Sequence, residues 1–81
     1  SEKPIVIDTK FYSVEDKFVN LLKNNDTKNI LENMLSDIIH HPTFTMIENM
    51  TIVQLRRLSK NSFPYGAYYK LNQMLQKIAK D

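Results

Sequence analysis

An all-α fold is what this sequence predicts: a compact bundle of about four short helices behind an extended N-terminal arm. Three observations carry that reading. Apolar residues repeat at helical period, most clearly where Ile30, Leu31, Met34, Leu35, Ile38 and Ile39 fall as adjacent pairs every four residues. Residues that start helices stand ahead of the apolar runs, namely Ser13, Asp26, Thr27 and the pair Thr51 and Gln54. The one strand-like run, Pro4-Ile5-Val6-Ile7, has no second strand to pair with.

Residues 1–12 are therefore expected to be an arm packed on the helices, or alternatively a strand offered to the sheet edge of another protein. Residues 13–81 form a single helical domain. Its first helix begins after Ser13, whose hydroxyl can accept a free backbone N–H near Asp16, and places Val14, Phe18, Leu21 and Leu22 on one face. Asn24-Asn25-Asp26 ends it, and Asp26 or Thr27 caps the second and central helix. That helix stops at His40-His41, because Pro42 disfavours helical geometry in the residue before it. Thr45 with Glu48, and Thr51 with Gln54, both have the spacing of a reciprocal cap. They predict a short turn over 46–50 and a third helix over 52–60 that buries Ile52, Leu55 and Leu58, with Arg56 and Arg57 toward solvent. Phe63-Pro64-Tyr65-Gly66 has the composition of a type I turn. Ser62 or Gly66 then precedes a last helix over 66–79 with Tyr68, Leu71, Met74, Leu75 and Ile78 on its apolar face.

The chain has 81 residues, enough for one modest core, with an expected net stability of about 4 to 12 kcal/mol. With no cysteine, neither disulfides nor thiolate metal sites supplement that core. Apolar runs are too short for a transmembrane helix, and no secretion signal is evident, so the expected location is the cytoplasm. No catalytic pattern is apparent. A glycine-rich phosphate loop is incompatible with a single glycine. Adjacent His40 and His41 point about 100° apart on a helix and have no spaced carboxylate or histidine partner. No enzyme activity, metal or other cofactor is therefore expected. The histidines suit a helix C-terminus, where imidazoles can meet free carbonyls, or else a docking loop.

Charge is unevenly placed. Residues 1–50 carry five lysines against eight carboxylates, net −3, while residues 51–81 are net +5. Either the halves attract each other on folding, or the basic half meets an acidic protein or a nucleic acid. Arg56, Arg57, Lys60 and Lys70, with Tyr65 and Tyr69, are the candidate contact residues there. Tyrosines among basic residues can stack bases, and the helix, turn, helix order from Thr51 to Ile78 invites comparison with a DNA-reading unit. Arg56 falls where such a unit needs a small residue, and the turn "KNSFPYG" is long for one. A small nucleic-acid-binding regulator is thus the alternative reading.

Asn, Lys and Ile make up 25 of the 81 residues, a bias that fits an AT-rich genome such as that of many bacterial viruses. With that bias, the size and the stretch "LSDIIHHPTFTMIENM" at 35–50, the chain resembles the cytoplasmic antiholins, the lysis-inhibition accessory proteins, of T-even phages. The resemblance implies a regulator in the host cytoplasm that binds the cytoplasmic part of a membrane holin and delays lysis. His40, His41, Pro42 and Thr43 carry it, and are the first candidate partner contacts.

Overall fold

Hydrogen bonds that leave the helices and join distant segments shape this chain as much as the helices themselves. The computed structural model describes residues 2–81; Ser1 of the expected arm and the Ser62 side chain lie outside that description. Among the described residues are α1 (Phe18–Leu21), α2 (Asn25–Met34), α3 (Ser36–Ile39), α4 (Ile52–Leu58) and α5 (Tyr65–Leu75), with single 3-10 turns at Phe44–Met46 and Lys60–Ser62. The fold is all-α, and none of these helices is long and apolar enough to cross a membrane. Its extents are 33 × 31 × 19 Å, so the thin direction holds about two helix diameters and one core layer.

That core joins Val14, Phe18 and Leu21 to Leu31 and Leu35 of the α2 region, Ile52 of α4, Phe63, and Tyr68, Leu71 and Leu75 of α5. The first helix is shorter than its apolar spacing predicts. The Val14 N–H donates to Asn72 Oδ1 and the Val14 carbonyl accepts from Val53 N–H, while Phe18 N–H donates to the Met50 carbonyl. Groups that would make the first helical turn are therefore committed to distant partners. Residues 13–16 close a local turn instead, in which Asp16 Oδ2 accepts the Ser13 N–H and the Ser13 hydroxyl accepts that of Glu15.

The central helix is also interrupted. Asn24, rather than Asp26 or Thr27, caps α2 by accepting from the N–H groups of Asp26 and Thr27. Thr27 is buried and its hydroxyl donates to the Leu21 carbonyl, tying α1 to α2. At Leu35 the backbone moves to φ −130° and ψ 29°, and the next turn restarts as α3. Leu31 and Leu35 are buried, whereas Ile30, Met34, Ile38 and Ile39 are half-buried around them. α3 ends at Ile39, as Pro42 requires.

Thr51 and Gln54 form the reciprocal cap of α4; Thr45 sits inside the Phe44–Met46 turn and begins no helix. The expected burial along α4 needs correction. Leu58 is 75% exposed, and the Arg56 side chain is only 12% exposed. Helix geometry explains both: at 3.6 residues per turn Arg56 lies about 40° from the direction of Ile52, and Leu58 about 120° away. A run at spacing three drifts off the face that spacing four keeps.

The corner before α5 is not a type I turn. Pro64 has φ −57° and ψ 146°, an extended N-cap, and the bend is made by the 3-10 turn before it, where Phe63 N–H meets the Lys60 carbonyl. α5 ends at Leu75, four residues early, since the chain beyond turns back to the arm: Phe11 pairs with Ala79, and Tyr12 and Lys80 bond to Ile78 and Lys10. Gln76 donates to the carbonyls of Asp8 and Tyr12 and accepts the Asp8 N–H. The arm alternates, with Ile5 and Ile7 against the core and Val6 outward. Gly66 needs no glycine conformation, and an added Cβ there would meet nothing within 4 Å. Gly66→Ala is expected to stabilise the chain by about 0.5 kcal/mol by removing unfolded-state freedom, visible as a raised urea midpoint at unchanged m-value.

Candidate docking site

An apolar groove of about 330 Å³ opens where α3, the 40–47 loop, α4 and the corner before α5 meet. Ile38, Phe44, Ile47, Leu55 and Phe63 form its walls, and Asp37, His41, Thr43 and Ser59 supply the polar atoms around them. The walls are rigidly backed. Phe44 stands edge-on to the fully buried Phe18, with ring centroids 5.6 Å apart and planes at 88°, and Phe63 meets Tyr68 in the same manner. The backbone of 48–50 is stitched to α1 through Val19 N–H to Glu48 O and Phe18 N–H to Met50 O. Met46 is 80% exposed beside these segments, and Leu58 ends the helix that contributes Leu55. Flexible, solvated apolar side chains next to an apolar groove suit recognition of another apolar surface.

His41 brings a directed polar group to the groove. Its Nδ1 lies 3.1 Å from the Thr43 backbone nitrogen and 2.9 Å from the Thr43 hydroxyl. A backbone N–H only donates, so Nδ1 is the acceptor, and in the neutral ring Nε2 carries the hydrogen. His40 is turned elsewhere, paired with Glu32 of α2. Among the described residues, neither imidazole bonds a helix carbonyl. Pro42 is exposed and does not line the groove. Of the four residues that carry the sequence resemblance, the fold brings His41 and Thr43 to the groove.

The basic half divides. Arg56 is enclosed: its Nε donates to the Phe63 carbonyl at 3.1 Å, and its guanidinium carbon lies 4.9 Å from the Tyr68 ring centroid and 5.2 Å from that of Tyr65. Its Nη2 meets Glu2 at 3.1 Å. The expectation that Arg56 lies toward solvent is therefore overturned, because its stem shares the face of Ile52. Lys80 meets Asp16 at 2.6 Å, so both of these cations join the basic half to the acidic half within the chain. Arg57, Lys60 and Lys70 remain exposed, Tyr69 is half-buried, and Tyr68 is buried. Arg57 lies with Met50, Gln54 and Leu58 on a shallow recess. Tyr65 and Tyr69 line a second recess with Glu2, Lys3 and Gly66. Withdrawal from water, and then the Glu2 carboxylate, push the Tyr65 hydroxyl above the ordinary phenol pKa. It is a protonated donor at neutral pH.

The groove walls were not among the sequence candidates. Phe44, Ile47 and Phe63 come from segments without helical period, and the signal that could have marked them is the cluster of apolar residues outside the regular stripes. Among the described residues no three His, Asp or Glu side chains are grouped as metal ligands. No known family model matches the chain, and no curated protein or solved structure matches it either.

Proposed function

We propose that this protein is a non-enzymatic regulator in the host-cell cytoplasm that binds a short amphipathic segment of a protein partner. In its sharpest form it is an antiholin acting on the cytoplasmic segment of a phage holin. The observation that carries the proposal is the coincidence of the His41–Thr43 turn, where the resemblance lies, with an apolar groove of about 330 Å³. Such a groove accepts one or two large apolar side chains, while the His41 Nε2–H and the Asp37 carboxylate fix their orientation. No bond has to be made or broken. A regulator that binds the unassembled partner in preference to the assembled one shifts the population toward the former by that difference in affinity.

The test is fluorescence anisotropy with a labelled synthetic peptide of the cytoplasmic segment of a T-even phage holin. Saturable binding is expected, and His41→Arg should weaken it about tenfold by filling the groove mouth with a longer cation and losing the Nδ1 acceptor. As His41 is exposed, thermal stability should change little, on the order of 0.5 kcal/mol. Unchanged affinity in a stable variant removes this loop from the interface. Salt-sensitive binding of duplex DNA in place of the peptide would establish the nucleic-acid alternative.

A further inference from the structure

A cation as enclosed as Arg56 is costly to keep unless its donors are used. Two of them are: Nε on the Phe63 carbonyl and Nη2 on one oxygen of Glu2. The Glu2 side chain is 56% exposed and, among the described residues, makes that one hydrogen bond from an exposed stretch, Glu2-Lys3-Pro4. Beside it, in the recess lined by Glu2, Lys3, Tyr65, Gly66 and Tyr69, the Tyr65 hydroxyl oxygen is shut off from solvent and has no hydrogen-bond partner among the described residues. A guanidinium whose carbon lies 4.9 and 5.2 Å from two tyrosine ring centroids, a phenol donor without a partner among the described residues and the nearby Lys3 together offer more donors than Glu2 takes up.

We infer that the Arg56–Tyr65 recess is a recognition site for a carboxylate side chain of a protein partner, and that Glu2 occupies it internally until that carboxylate displaces it. An incoming carboxylate can engage the planar fork through two oxygens and accept from Tyr65, whereas Glu2 meets one nitrogen. A single pair with an exposed partner is weakly held, so exchange is easy. The alternative purpose, a purely structural staple, does not use the Tyr65 hydroxyl.

The two purposes separate in one set of measurements on the full chain. The probe is N-acetyl-glutamate N-methylamide, with the glutamine analogue and inorganic phosphate as controls, followed through the Arg56 Nε–H and Tyr65 ring resonances. The glutamate probe should shift both saturably, with affinity raised about two- to five-fold by Glu2→Gln. Arg56→Lys should lower it about tenfold. Because Arg56 substitutions also disturb packing, Tyr65→Phe is the second variant. It should weaken the probe several-fold while raising the melting temperature by about 4 °C, since it deletes an unsatisfied buried hydroxyl. No saturable shift in the Glu2→Gln chain, equal response to the glutamine analogue or phosphate, or a Tyr65→Phe chain that melts lower, overturns the site. The probe carries no apolar anchor, so its failure leaves the groove proposal untouched.

Discussion

Phe18→Ala is expected to cost about 3 to 5 kcal/mol, enough to unfold much of the population in a domain of this size. Phe18 is fully buried, and its ring meets the edge of Phe44. Its loss removes the transfer energy of a whole aromatic side chain and leaves a cavity between α1 and the 44–50 loop. The neighbourhood has little freedom to collapse into that space, since Phe18 N–H and Val19 N–H hold the loop by its own carbonyls. The groove should fail together with the fold, because Phe44 is both its wall and the partner of Phe18. Phe18→Leu separates the two effects. It keeps most of the volume, costs less, and should leave a folded chain whose peptide affinity falls because the Phe44 wall is no longer held edge-on. Urea unfolding followed by circular dichroism gives the first quantity and anisotropy the second. A Phe18→Ala loss below about 1 kcal/mol would contradict the placement of this ring at the centre of the core.

The parts of this fold that sequence reasoning reaches are those set by local rules. The stripe of α2, the Thr51 and Gln54 cap, and the stop before Pro42 each depend on residues within one or two turns. What it misses depends on tertiary partners. Nothing local reveals that Val14 and Phe18 will spend their helical hydrogen bonds on Asn72, Val53 and Met50, so α1 looks longer than it is. Arg56 is the instructive error: its charge argued for solvent, while its position four residues after Ile52 placed its stem inside. The two tyrosine rings and the Phe63 carbonyl accommodate the head group that pattern alone would expel. For the docking groove, His41 and Thr43 were legible as contacts and Ile38 and Leu55 as apolar helix positions, whereas Phe44, Ile47 and Phe63 were not legible as walls. Phe44 and Phe63 act from turns, where burial follows no period.

Leu31→Ala and Leu35→Ala should each cost about 2 to 5 kcal/mol, and their order is itself informative. Leu31 is fully enclosed on the regular part of α2, so its cavity persists and its cost belongs at the upper end. Leu35 is 8% exposed and borders a recess shared with the half-buried Met34, whose flexible side chain can relax toward the gap. Its deletion should therefore cost less than that of Leu31. A second consequence acts through the backbone. Leu35 marks the break between α2 and α3, and alanine, the best helix former, favours closing that break into one continuous helix. Continuing α2 in that way rotates Asp37 and Ile38 away from their places in the groove. Leu35→Ala should accordingly lose peptide affinity out of proportion to its stability, whereas Leu31→Ala should lose stability with affinity preserved in the folded fraction. Equilibrium unfolding and peptide titration of both variants below their melting temperatures decide it. Equal affinities would mean that the break at Leu35 does not position the groove, and a Leu35→Ala loss below about 1 kcal/mol would mean that α2 is not central to the core.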